Sequence, residues 1–451
     1  MKLKFIAATS LVFLSYFNSY GQILKLEDAL YRTQNQYDKI KAKQQLVDAS
    51  AQNTAFQKQQ YLPDFTLSAQ QSFGTINVQH GPMYAYGGLG SAATSMPLAE
   101  QNWNAAFGSL YFANVNWNLF SFGRIKKELT AQADLHQEVF QQQIKVSAAY
   151  LNLLASQRIK FVQEKNAERA QVFYEMTNAR AKSGLIPEVD AQLAKAEWSN
   201  AKSLQIKAYD KELEWSKQLA VLMNDDFKIY QLDSLYSTSL PDKLLETAEN
   251  NFSKHPYLQW QQSKINESEQ NVEVLKAEKK PNLSAFGVVQ GRGSGFEADY
   301  AQDNSAYSTN YLKGVGIDRG NYLLGVSLTW NVTNLFRFNT KIKEQQFVTQ
   351  SLQHSFDAQQ KELKTLSHQA NEQLKNAYLN FDETKIQLDA AALAHKQQTA
   401  LYQNGLTTLV DFTQALYSLN RAEIDYEIAQ NNVWQALLLL ASAQGDIQVL
   451  T

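Results

Sequence analysis

Two stretches of this 451-residue chain contain neither glycine nor proline, Arg124 to Ser183 and Val326 to Asn404, and no other feature limits its fold as severely. Glycine and proline are the residues that most often stop a helix, so each stretch can run as one helix several times the average length. At about 1.5 Å per residue, sixty helical residues extend roughly 90 Å. The 19 Gly are gathered elsewhere: seven from Gly74 to Gly123, eight from Gly287 to Gly325, then Gly21, Gly184, Gly405 and Gly445.

Periodicity agrees with long helices. Ala370, Leu374, Ala377, Phe381, Thr384, Leu388 and Ala391 follow alternating steps of four and three, as do Ala415, Leu419, Ala422, Tyr426, Ala429, Val433, Ala436, Leu440 and Ala443. Both are heptad seams in which a small residue alternates with a large one, so two backbones can approach closely while the large side chains fill the gaps. Asn404-Gly405 lies between the seams, and a turn there predicts an antiparallel coiled-coil hairpin.

The glycine-rich regions have a different period. Phe107, Ser109, Tyr111, Ala113, Val115, Trp117 and Leu119 alternate with Gly108, Leu110, Phe112, Asn114, Asn116 and Asn118, and Tyr322, Leu324, Val326, Leu328, Trp330 and Val332 with Leu323, Gly325, Ser327, Thr329 and Asn331. This is the period of a strand. Each segment pairs with an earlier one, Asp64 to Phe73 and Asn282 to Gly291, across a long loop rich in Gly, Ser, Tyr and Asn. Four strands of about ten residues have the length of tilted membrane-spanning strands, and Tyr111, Trp117, Tyr322 and Trp330 suit an aromatic girdle.

The chain is written twice. Leu62-Pro63-Asp64-Phe65 recurs as Lys280-Pro281-Asn282-Leu283, Trp117-Asn118 as Trp330-Asn331, Ala149-Tyr150-Leu151-Asn152 as Ala377-Tyr378-Leu379-Asn380, and Gly184-Leu185 with Val189-Asp190 as Gly405-Leu406 with Val410-Asp411. Ala194, Ala201 and Ala208 then match Ala415, Ala422 and Ala429. From Tyr150 to Gly184 is 34 positions and from Tyr378 to Gly405 is 27, a difference of one heptad that keeps the seam in phase. The expected organisation is a first repeat over 22–226 (hairpin 63–119, tip turn 184–190), a linker over 227–258, and a second repeat over 259–451 (hairpin 281–333, tip turn 405–411).

Residues 1–21 read as an export signal: Lys2 and Lys4 precede a mostly apolar run from Phe5 to Tyr16, and Ser19 and Gly21 sit at the −3 and −1 positions of a cleavage site. No later segment approaches 18 consecutive apolar residues, so an exported chain of this kind enters a membrane as a β-barrel. Four strands cannot close a barrel, and open edges are not tolerated in lipid. Strands from several copies must therefore be pooled, with the helices lining a shared tube.

These residues carry a resemblance over about 420 positions. The duplicated unit, the helix-to-strand Pro63 and Pro281, the Trp-Asn strand ends at Trp117 and Trp330, and the Gly-Leu-x-x-x-Val-Asp turns at Gly184 and Gly405 resemble the TolC-like outer-membrane efflux and secretion channels. The resemblance implies a mainly α chain with a membrane β portion: a homotrimer with a twelve-stranded barrel in outer-membrane lipid and a long periplasmic α-barrel. It also implies a tip that docks with a periplasmic adaptor (membrane fusion) protein and an inner-membrane pump. Phe227 to Leu258 would be the equatorial linker. Gly184, Leu185, Val189, Asp190, Gly405, Leu406 and Val410 would form the docking tip. Asp411, Tyr402, Thr407 and Gln414 would form the entrance constriction, with three copies of Asp411 making an anionic ring. The sequence departs from the best-known pattern at Gln414, where a second aspartate can occur, and at Thr407, where an arginine can latch the closed state.

Other chemistries find little support. With 42 Lys+Arg against 44 Asp+Glu there is no basic face for nucleic acid, and zero Cys excludes disulfides, thiolate zinc sites and cysteine nucleophiles. The six His show no i, i+4 pair and no HExxH, and Gly291-x-Gly293-x-Gly295 lacks the Gly-Lys and helix of a phosphate cradle. No enzyme, metal or cofactor is expected. The alternative is a periplasmic coiled-coil adaptor or scaffold without a pore, which accounts for the helices but not for four membrane-length strands.

Overall fold

A computed structural model describes residues 23–77, 98–119, 128–241 and 252–450. The export signal, most of the first hairpin loop, residues 242–251 of the linker and the start of the first breaker-free stretch lie outside the described residues. The chain divides into two compact units, each assembled from both sequence repeats: Met1–Ala49, Glu128–Ile265 and Ser351–Thr451 form the first, Ser50–Lys127 and Asn266–Gln350 the second.

The elements in chain order are α1 (Leu26–Gln36), α2 (Asp38–Gln59), β1 (Asp64–Thr75), β2 (Ala105–Asn118), α3 (Glu128–Lys182), α4 (Glu188–Met223), α5 (Leu235–Thr238), α6 (Pro256–Ala277), β3 (Asn282–Ser294), α7 (Tyr311–Val315), β4 (Arg319–Thr329), α8 (Asn334–Gln403) and α9 (Leu409–Gln444). The breaker-free stretches became α3, of 55 residues, and α8, of 70.

In the first unit the predicted seams are the buried lines of the helices. Ala194, Ala201 and Ala208 of α4 and Ala415, Ala422 and Ala429 of α9 are all buried, as are Ala370, Leu374, Phe381 and Thr384 of α8. The rings of Phe381 and Tyr426 meet at 5.2 Å between α8 and α9. The main core joins both repeats, with Val146, Tyr150, Leu153, Leu219, Met223, Val433, Leu437 and Leu440 in one cluster. Each such aliphatic side chain contributes about 1.5–3 kcal/mol on burial.

Aromatic side chains tie the linker to this core through its backbone. Leu24 bridges Leu232 in parallel, and the Tyr150 hydroxyl donates to the Leu24 carbonyl at 2.8 Å. Trp434 Nε1 donates to Ser239 O, Tyr378 Oη to Pro241 O and Tyr236 Oη to Leu450 O. A loop that packs on a core must satisfy its own carbonyls, and Trp434 and Tyr378 do so for Ser239 and Pro241. At the start of α6, His255 accepts from Tyr257 N at 3.2 Å while its Nε2 lies 3.1 Å from Ser442 O, pinning α6 to the end of α9.

The second unit holds one antiparallel four-stranded sheet in the order β1-β2-β3-β4, so the two predicted hairpins join through β2 and β3.

Candidate functional site

The two tip turns have one geometry. α3 ends at Gly184 with φ +75°, where Gly184 N donates to Ala181 O and Leu185 N reaches back to Arg180 O; α8 ends at Gly405 with φ +71°, where Gly405 N donates to Tyr402 O and Leu406 N reaches Leu401 O. This left-handed cap satisfies the last carbonyls of each helix, and only glycine adopts it without strain. The chain then re-enters a helix within a few residues, which leaves Leu185, Val189, Leu406 and Val410 exposed, each by 61–73%. Four solvent-facing aliphatic side chains thus stand at paired turns.

The helices that follow start differently. Thr408 caps α9: its hydroxyl accepts from Asp411 N at 3.2 Å, and the Asp411 carboxylate accepts from Thr408 Oγ1 at 2.6 Å, from Thr408 N at 3.3 Å and from Thr407 Oγ1 at 3.2 Å. This reciprocal capping box holds the Asp411 carboxyl below the usual carboxylate range, chiefly through the Thr408 hydroxyl. Asp411 is exposed and stays charged. In the first repeat Pro187 stands where Thr408 does in the second, and α4 starts without a side-chain cap; Asp190 is half-buried. Gln414 is exposed and Thr407 half-buried.

Tyr402 is placed inside the tip rather than on its surface. Its ring is buried between Phe173 at 5.3 Å and Phe412 at 5.5 Å, in a cluster with Ala194, Leu409 and Leu416. Arg180 of the other hairpin donates to the Tyr402 carbonyl at 3.1 Å and lies over its ring at 5.6 Å. The last turn of α8 has no basic residue, so Arg180 supplies the cation that the negative end of α8 favours.

Further along, two bidentate pairs join α3 to α9: Arg169 to Glu423 at 2.9 and 2.5 Å, and Arg158 to Glu427 at 2.9 and 3.2 Å. Tyr417 donates to Glu197, joining α9 to α4. His395 of α8 lies 5.7 Å from the Phe412 ring, and burial together with the Arg169 charge depresses its pKa against the opposing charge of Glu423.

In the sheet the register sorts side chains onto two faces. Val115 lies opposite Phe65 and Gly287, Ala113 opposite Leu67 and Val289, Trp117 opposite Ala285, and Ala285, Gly287 and Val289 opposite Val326, Leu324 and Tyr322. One face is thus apolar across all four strands. Asp64, Thr66, Ser68, Gln70, Asn114, Asn116, Ser284, Gln290, Asn321 and Ser327 share the other with Leu110, Phe112, Phe286, Val288 and Leu323. Trp117 Nε1 donates to Tyr61 O and Trp330 Nε1 to Lys279 O, in each repeat the carbonyl two residues before the helix-to-strand proline. Each indole therefore sits at the strand end with its polar edge engaged. Tyr322 is 80% exposed. Tyr111, on the same face, is half-buried beneath α7, donating to Val315 O at 3.2 Å. The outer edges of β1 and β4 carry no strand among the described residues.

No protein-family model matches this chain, and no curated protein matches it in sequence. Solved structures do. The chain is similar to the transmembrane channel CusC, at 12% identity over 93% of this chain and 92% of that one, with a TM-score of 0.76. It is similar to the CmeC outer membrane channel of Campylobacter jejuni (13%, 93% and 85%, TM-score 0.71) and to the outer membrane protein VceC of Vibrio cholerae (13%, 93% and 96%, TM-score 0.71). The fold is that of the TolC-like outer-membrane channels, as the repeated motifs implied.

Sequence reasoning placed Leu185, Val189, Leu406 and Val410 at paired turns, and the structure puts them there, exposed. It missed the capping box, although Thr408-x-x-Asp411 has the spacing of one. Arg180, Arg169 and Arg158 gave no local signal, because their partners lie 222, 254 and 269 residues away.

Proposed function

We propose that this chain is one protomer of a trimeric outer-membrane channel-tunnel, the exit duct of a tripartite efflux or type I secretion system, and that it works as a passive conduit without catalysis. The observation that carries this reading is the sheet. An apolar face continuous over four strands, ending in Trp117 and Trp330, has no use in water, and its open β1 and β4 edges call for strands from further copies. Three copies supply the twelve strands of a closed barrel, with the apolar face toward lipid and the polar face toward the lumen. The CusC and CmeC structures, described as channels, give the same fold that role.

The long helical hairpins then form the periplasmic tunnel. Leu185, Val189, Leu406 and Val410 offer apolar knobs to a periplasmic adaptor, which couples the tunnel to an inner-membrane pump. Three Asp411 carboxylates, kept ionised by their threonine donors, favour cations at the entrance. A pore-less scaffold leaves the apolar sheet face unexplained.

Mass measurement of the detergent-solubilised complex, followed by conductance in planar bilayers, tests the reading. A trimer that conducts is expected. A well-folded monomer in bilayers, or a soluble periplasmic protein, would overturn it.

A further inference from the structure

The polar face of the sheet holds an arrangement that neither folding nor the channel reading requires. β3 and β4 pair Arg292 directly with Arg319, both on the polar face near the hairpin loop. Side chains directly opposite in antiparallel strands have Cβ atoms about 4.5–5.5 Å apart, and like charges there destabilise the pair. Among the described residues neither guanidinium has a hydrogen bond or ion pair, and both are exposed.

The two arginines line a cavity of about 730 Å³ with Gln70, Ser72 and Asn321. Lys313 and two acids also line it. Glu297 pairs with Lys313 at 2.5 Å, and Asp318 accepts from Ser294 N at 3.3 Å. The lining therefore carries three cations against two carboxylates, and its two guanidinium forks are the cations that no carboxylate pairs. Guanidinium is planar, always charged and matched to the oxygens of phosphate or carboxylate, and two forks side by side suit an anion bearing more than one charge.

We propose that Arg292 and Arg319 form a binding site for multivalent oxyanions, of the phosphate and polyphosphate class, on the lumenal face of the strand barrel at its hairpin-loop end. The lumenal placement rests on the channel reading; the site itself lies within one chain. With three copies, six guanidinium groups ring the barrel lumen at that end.

The test uses the full-length wild-type protein in planar bilayers with tripolyphosphate added to one side at a time. Block from the hairpin-loop side is expected, weakened by added salt. In R292Q/R319Q it should weaken about 10- to 100-fold, the loss of one or two charge-assisted contacts. Each single variant should fall between, and Asp411→Asn should leave loop-side block unchanged. Both positions are exposed, so the glutamine variants keep the fold, which trimer mass and helical circular dichroism check. Unchanged block in the double variant, or equal block from both sides in the wild type, overturns the proposal. Equilibrium dialysis of tripolyphosphate against the detergent-solubilised protein separates the two readings. A protein that does not conduct but binds in an arginine-dependent way sinks the channel reading alone, and one that conducts without such binding sinks the anion site alone.

Discussion

Three glycines share nearly the same backbone conformation in unlike surroundings, which allows the cost of the conformation to be separated from the cost of crowding. Gly184, Gly405 and Gly445 have φ of +75°, +71° and +79°. A methyl group at Gly184 or Gly405 would meet nothing within 4 Å, so alanine there costs only left-handed strain, about 1–2 kcal/mol. At Gly445 the added carbon would lie 2.8 Å from His255 Cδ2 and 2.9 Å from His255 Cα. His255 cannot yield freely, because Ser442 O and Tyr257 N hold its ring. Overpacking of about 1–3 kcal/mol then adds to the strain, for a total of about 2–5 kcal/mol. Thermal unfolding followed by helical circular dichroism should show Gly184→Ala and Gly405→Ala lowering the midpoint by similar amounts, at about 1 °C per kcal/mol for a chain of this length, and Gly445→Ala lowering it further. Gly405→Asn should be milder than Gly405→Ala, since asparagine tolerates this region better. The reasoning fails if Gly445→Ala is no worse than Gly405→Ala, or if asparagine offers no relief at the tip.

Ala422 and Ala429 are buried to 0% and 1% exposure, so leucine at either should destabilise by about 1–3 kcal/mol in chemical denaturation while serine stays mild; equal tolerance would mean the seam does not pack there. Burial depresses the pKa of both His255 and His395, so below about pH 6.5 the unfolded chain binds protons that the folded one resists. Stability should therefore fall as pH drops from 7.5 to 5.5, a window above the carboxylate range, and unfolding temperatures that stay flat or rise on acidification would contradict this. Asp411→Asn should reduce cation preference in reversal potentials across a salt gradient, and because asparagine retains an acceptor for the Thr408 donors, trimer mass and unfolding temperature should stay close to wild type. Identical reversal potentials would remove Asp411 from the entrance.

What could be read from the chain was whatever repeats locally. The spacing of glycine and proline fixed where α3 and α8 could run, heptad steps gave the buried lines of α8 and α9, and alternation gave the strands, because each signal depends on residues a few positions apart. The small seam residues Ala194, Ala201 and Ala208 were visible for the same reason. Long-range geometry was not. Tyr402, expected at the entrance constriction, has the same local spacing whether its ring points outward or, as found, against Phe173 more than 200 residues earlier. The register of Arg292 against Arg319 depends on how the long loop between β3 and β4 closes, and loop length alone does not set it. The folding of α7 over β2, with Tyr311 meeting the Phe107 ring at 5.2 Å, likewise had no periodic signature.

The pairing of β2 with β3 has a consequence for how the protein is made. Asn118 at the end of β2 meets Asn282 at the start of β3 across 164 residues of sequence. A chain emerging from the N-terminus thus completes its first hairpin, with an apolar face and an unpaired β2 edge, long before the strand that covers that edge exists. Contacts so distant in sequence form slowly, and exposed strand edges in the interval invite pairing between chains. Nascent chains halted between residues 119 and 281 should therefore be the most aggregation-prone of all lengths, and holding the first hairpin in solution until β3 arrives becomes a requirement of biogenesis rather than of the finished structure.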